Sequence, residues 1–207
     1  MAEHPRLGGA ATLATVVLTQ MAFVGAGWWW ADRQGLVLVD DLVPDATAVA
    51  VGIAMAVALY VGILASRSIL PGVWRDLDAL VRKIFVESGL PLNWPAILLL
   101  GTAAGIGEEI LFRGALQGWL ALEFPTVAAI VLPSIAFALL HPYSRAYIAY
   151  AFVVGCLLGT LYAATGSLLS AIIAHGLYDV LALARLKREV AAGAATGDLS
   201  EKRADRA

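Results

Sequence analysis

Six long apolar stretches follow one another along this chain, almost free of charge: Leu7–Trp30, Thr47–Ala65, Pro95–Trp119, Pro125–Leu140, Ala146–Ala164 and Ser167–Ala184. A helix needs about 20 mainly apolar residues to cross a bilayer. The chain is 60% hydrophobic and only 14% charged, with a mean hydropathy of +0.81, whereas soluble domains lie near 45–50% and about 25%. The expected fold is all-α: a polytopic membrane helix bundle of about six transmembrane helices. The fourth stretch is short for a span. The first is too long for a cleaved signal peptide and has no obvious Ala-x-Ala site, so it reads as a retained anchor closed by an aromatic belt, Trp28 to Trp30.

Between the second and third stretches, Val73, Leu77, Leu80, Val81 and Ile84 recur at helical spacing, with Arg75, Asp76, Arg82 and Lys83 elsewhere on the turn. Gly72–Gly89 is therefore expected to form an amphipathic helix in the membrane interface or an extramembrane helix packed on the bundle. Basic residues set the orientation. With the N-terminus in the cytoplasm and six spans, Arg6, Arg67, Arg75, Arg82, Lys83, Arg145, Arg185, Lys187, Arg188, Lys202, Arg203 and Arg206 all fall inside; Arg33 falls outside in an Asp-rich loop, and Arg113 falls in the membrane. The positive-inside rule thus predicts a multi-pass protein of the plasma (inner) membrane with both termini cytoplasmic. The chain beyond Arg185 is polar and Ala/Gly-rich and is expected to be frayed or disordered. Gly101 and Gly105, Gly114 and Gly118, and Gly155 and Gly159 stand four apart, a spacing that lets helices approach closely in lipid. The single cysteine, Cys156, reads as a small packing residue. No internal repeat, phosphate-binding glycine loop or nucleic-acid footprint is present.

Ionisable groups inside a bilayer are expensive, roughly 2.5 to 3.5 kcal/mol each at a helix centre, and are functional by default. Here they form three patterns on three helices. In Glu108-Glu109-x-x-x-Arg113, Glu109 and Arg113 share a face and can pair, while Glu108 lies about 100° around the helix and is free for proton transfer. Phe137-x-x-x-His141 places an aromatic ring one turn before a histidine, able to pack on that ring or on a substrate. His175-x-x-x-Asp179 places a carboxylate one turn after another histidine, able to orient it. Each pattern alone also fits a structural ion pair or a hydrogen-bonded core residue. Of the three histidines, His4 reads as solvated and the other two as intramembrane. A glutamate, two histidines and an aspartate converging on one water suit hydrolysis: a base for water and donors for an oxyanion. For Glu108 and His141 to meet, the fourth helix must end inside the bundle, leaving a cavity lined by His141–Arg145 and open to the cytoplasm.

The ordered set Glu-Glu-x-x-x-Arg, Phe-x-x-x-His, His-x-x-x-Asn/Asp resembles the CPBP (CAAX-protease and bacteriocin-processing, Abi) family of intramembrane endopeptidases, which includes the type II CAAX prenyl endopeptidases. The resemblance divides the chain into a two-span region with the interfacial helix (1–94), a four-helix catalytic core (95–184) and a polar cytoplasmic tail (185–207). It implies that Glu108 and His141 activate the attacking water, that His175 and Asp179 stabilise the oxyanion, and that Glu109, Arg113 and Phe137 support the site. The family often has Asn where Asp179 stands, and an ionised Asp cannot donate to an oxyanion; Asp179 would then orient His175 instead. The sequence does not demand a cofactor, and zinc is the alternative. A zinc version would use Glu108, His141 and His175 as ligands, although no His-Glu-x-x-His is present. The implied substrate is a membrane-anchored protein or peptide, with the lipid bilayer as the other partner and no nucleic acid. Two further classes compete with hydrolysis: a non-catalytic scaffold or bacteriocin-immunity protein, and a proton-coupled transporter, which the lack of repeat organisation disfavours.

Overall fold

The computed structural model describes the backbone of residues 8–204 and the side chains as far as residue 192; His4 lies outside the described residues. The helices are α1 (Gly9–Arg33), α2 (Leu38–Asp41), α3 (Ala46–Ile69), α4 (Pro71–Ser88), α5 (Trp94–Glu109), a π-helical segment (Ile110–Gln117) that runs on into α6 (Gly118–Glu123), α7 (Thr126–Leu139), α8 (Arg145–Thr165) and α9 (Leu168–Ala204). Among the described residues, five apolar helices are long enough to cross a membrane: α1, α3, the continuous rod from Trp94 to Glu123, α8 and α9 as far as Ala192. The sixth, α7, has 14 residues, about 21 Å at 1.5 Å per residue. That is short of a hydrocarbon core of about 30 Å. The chain is a polytopic helical membrane protein.

Local chemistry fixes the helix ends. Asp45 caps α3 by accepting from the Ala48 N–H at 2.8 Å, Asn93 caps α5 from Ala96 at 3.0 Å, and Ser144 caps α8 from Tyr147 at 3.1 Å. Pro71 and Pro95 occupy first-turn positions, where a missing N–H costs nothing. Gly89 ends α4 in the left-handed region (φ 68°), a conformation that favours glycine.

Within the described residues, α9 runs on past Arg185 to Ala204. Its alanines are strong helix formers, and Arg185 pairs with Glu189 one turn on at 2.6 Å. The short α2, inside the Asp-rich connection, was not foreseen. It buries Leu38 against Ala31, Ile110, Ala115 and Leu168.

Small residues decide which helices touch. At the crossing of α5 and α9, a Cβ on Gly105 would lie 2.8 Å from the Gly176 Cα, and one on Gly101 would lie 2.9 Å from the Gly176 carbonyl oxygen. The two backbones meet directly, one residue from His175 and one turn from Glu108. At the crossing of α3 and α9, Gly52 lies against the Ser170 carbonyl, and the Ser170 hydroxyl donates to the Ala48 carbonyl at 3.0 Å. A second core joins α3, α8 and α9 through Ala56, Leu59, Val154, Leu158, Leu161 and Ala174. Outside these contacts the helices expose Leu18, Met21, Val57, Val61, Leu98 and Leu132, as a bundle solvated by lipid does.

Candidate active site

The rod from Trp94 to Glu123 carries the acidic motif into the middle of the bundle. Glu108, Glu109 and Arg113 are buried, the last two completely. Arg113 Nη1 donates to Glu109 Oε1 at 3.0 Å. From Ile110 the helix widens into π geometry, a form that recurs at functional sites. Along this segment Arg113 Nη2 donates to the Gly155 carbonyl at 2.9 Å, and Gln117 Nε2 donates to the Gly159 carbonyl at 2.8 Å. The glycine pair on α8 thus receives the rod through its backbone. Arg113 also lies over the Phe137 ring, 5.0 Å from its centroid.

His175 is placed by α9. Its Nδ1 donates to Glu109 Oε1 at 2.7 Å, so Glu109 ties together Arg113 and His175. Its Nε2 lies 3.8 Å from Glu108 Oε2 and 3.6 Å from Asp179 Oδ2, too far for direct hydrogen bonds. The motif pair His175–Asp179 therefore does share a face, but the nitrogen that fixes the ring is the one facing Glu109.

His141 follows the end of α7. Its Nδ1 is 2.9 Å from the Phe137 carbonyl oxygen. A carbonyl only accepts, so Nδ1 carries the proton and Nε2 is left as the basic nitrogen of the neutral ring. The ring lies between Phe137 (centroids 4.8 Å) and Tyr147 (6.0 Å, stacked). Phe137, itself buried, also meets His175 edge-on at 5.9 Å and Phe112 at 5.5 Å. It packs against the rings of both histidines.

Glu108, Phe137, His141, His175 and Asp179 line one cavity of about 390 Å³. α7 ends at Leu139, and His141 just beyond it lines the same cavity as Glu108. Tyr143 lines the cavity as well, but Arg145 does not: it borders a separate apolar groove beside Ile148 and Phe152. The cavity extends from Glu108 towards the end of the bundle that carries α4. Leu77, Val81, Ile84 and Phe85 of α4 form one wall, and Arg67, Asp78, Arg185 and Glu189 stand at its polar end. Arg67 holds Asp78 through two hydrogen bonds of 2.7 and 2.6 Å, and Trp74 Nε1 donates to the Ser66 hydroxyl at 3.0 Å. α4 is thereby latched to α3 and covers one side of the cavity. A further aromatic wall joins α8 to α9 through a hydrogen bond between the Tyr150 and Tyr178 hydroxyls.

Sequence reasoning missed Gln20. It is buried and donates from Nε2 to Glu108 Oε1 at 2.9 Å. The available signal was that Gln20 is the one side-chain amide in the first apolar stretch. The link from Glu109 to His175 was missed because spacing within a helix reports a shared face and not the helix opposite.

Glu108, His141 and His175 do not fit a zinc site as they stand. Zinc ligands lie about 2.0–2.2 Å from the metal, which brings tetrahedral donors to roughly 3.3 Å from one another, whereas His175 Nε2 and Glu108 Oε2 are 3.8 Å apart. Among the described residues no three His, Cys, Asp or Glu side chains gather as a metal-holding group.

Residues 90–181 match a family model described as type II CAAX prenyl endopeptidase, Rce1-like. The matched segment runs from just before α5 to just beyond Asp179 and contains all three motifs; α1, α3 and α4 lie outside it. No curated protein and no solved structure matches the chain.

Proposed function

From the premise that this chain belongs, through residues 90–181, to the CPBP family and its Rce1-like CAAX endopeptidases, we propose that it is an intramembrane endopeptidase that hydrolyses a peptide bond of a membrane-anchored protein or peptide by glutamate-activated water. The observation that carries this reading is the convergence of Glu108, His141 and His175 on one cavity, with the His175 ring fixed from behind by Glu109.

In the proposed cycle the water sits between Glu108 and His141. The Glu108 carboxylate takes one of its protons while the basic Nε2 of His141 accepts a hydrogen bond from the other. The water oxygen attacks the scissile carbonyl carbon, and the carbonyl oxygen becomes an oxyanion. His175 is held at Nδ1 by Glu109, while its Nε2 faces Glu108 and Asp179 at 3.8 and 3.6 Å; in its charged form it donates from Nε2 to the oxyanion. Collapse of the tetrahedral intermediate breaks the C–N bond, and Glu108 returns its proton to the leaving amine. Asp179 has only acceptor oxygens when ionised and supports His175 from the cavity side. Glu109 and Arg113 neutralise each other and hold the ring and rod in register.

The end of the cavity lined by α4 reaches Arg67 and Arg185, and α4 also carries Arg75, Arg82 and Lys83. By the positive-inside rule that end is proposed to be cytoplasmic in a plasma (inner) membrane, so the scissile bond is presented at the inner surface. The test is comparative membrane proteomics of cells carrying the wild-type protein or Glu108→Ala. The reading expects at least one membrane-anchored protein whose terminus is trimmed only in the wild type. Identical termini in both, at equal expression, would overturn it.

A further inference from the structure

Gln20 belongs to a helix that otherwise faces outward: among the 25 residues of α1, only Gln20, Gly27 and Ala31 are buried. An amide is an unfavourable choice for one of three buried positions unless it is hydrogen-bonded, and its bond goes to Glu108. The Gln20 Nε2 occupies Glu108 Oε1 at 2.9 Å, which leaves Oε2 as the oxygen 3.8 Å from His175 Nε2. The other end of the amide fits against a glycine. A Cβ on Gly107 would come within 2.4 Å of Gln20 Oε1 and 2.8 Å of the Gln20 carbonyl oxygen.

We infer that Gln20 is a positioning residue for the candidate base, fixing the Glu108 carboxylate so that Oε1 is committed to α1 and Oε2 faces the cavity, with Gly107 as the space that admits it. This rests on the reading of Glu108 as the base. The physical need is specific. The terminal torsion of a glutamate is broad and two-fold, so a carboxylate without such a donor presents its oxygens in many orientations. Glu109 is fixed by Arg113 and His175; Gln20 performs the corresponding task for Glu108 from a different helix. The first span thereby becomes part of the site and more than an anchor.

The chain has three glutamines, Gln20, Gln34 and Gln117, so side-chain amide NMR of protein labelled with 15N-glutamine in lipid nanodiscs shows three pairs of signals. Glu108→Leu is expected to move the Gln20 pair and leave that of Gln117, which is tied to the Gly159 carbonyl. A Gln20 pair unmoved by Glu108→Leu would overturn the contact, and this readout does not depend on any cleavage. The second arm uses a peptide spanning the terminus trimmed by the wild type. Gln20→Met is expected to lower kcat on the order of a hundredfold, the scale of a roughly 1 Å misplacement, with KM unchanged. Gly107→Ala is expected to do the same, while Gly25→Ala, whose Cβ meets nothing within 4 Å, leaves kcat as it is. Wild-type kcat in folded Gln20→Met would overturn the positioning role.

Discussion

His175 Nδ1 lies 2.7 Å from Glu109 Oε1, the same oxygen that accepts from Arg113. One carboxylate oxygen therefore joins two helices and neutralises a buried guanidinium. The neighbouring Glu108 is left to face the cavity. Adjacent residues of like chemistry thus take different parts because helical geometry turns them about 100° apart.

Removing either member of the Glu109–Arg113 pair should be severe. Both are completely buried, and leaving one buried charge unpaired costs about 3–5 kcal/mol. Glu109→Leu and Arg113→Leu are each expected to lower stability by that amount in detergent unfolding. The double variant Glu109→Leu/Arg113→Leu should be more stable than either single one. Additive losses would show that the two do not act as a pair.

The crossing of α5 and α9 leaves no room for a side chain at Gly105, where a Cβ would lie 2.8 Å from the Gly176 backbone. Overpacking of this kind costs about 1–3 kcal/mol. Gly105→Ala is expected to lose that much in thermal unfolding and to separate His175 from Glu109. Gly62→Ala, in a place with nothing within 4 Å, should be neutral. Equal melting of the two variants would contradict the close approach.

Much of this was legible in sequence. The second apolar stretch, Thr47–Ala65, became α3 at Ala46–Ile69, and the amphipathic Gly72–Gly89 became α4 at Pro71–Ser88, because length and periodicity are local properties. The fourth stretch, short in sequence, is the short helix α7 of 14 residues. Partnerships between helices were less legible. Nothing in the spacing of His175 and Asp179 says that the ring turns its Nδ1 to Glu109; the contacts of Gly101 and Gly105 with Gly176 decide that. The π segment was likewise hidden, since it depends on the helices packed around it and not on local composition.

The proposed chemistry is carried by protein groups, so removing metal should not stop it. Purified protein stripped by a zinc chelator and shown metal-free by elemental analysis is expected to keep its cleavage rate. Loss on chelation with recovery on added zinc would replace the glutamate route by a metal-dependent one.

The most direct measurement is cleavage by Glu108→Gln in liposomes, on a peptide spanning the terminus that the wild type trims. Glutamine keeps an oxygen to accept from Gln20 and nearly the same shape, so the fold and melting temperature should hold. It cannot take a proton from water. A positioned general base contributes about 10²- to 10⁴-fold, and kcat is expected to fall by at least the lower figure. Cleavage at the wild-type rate by folded Glu108→Gln would contradict the central claim that this carboxylate activates the water.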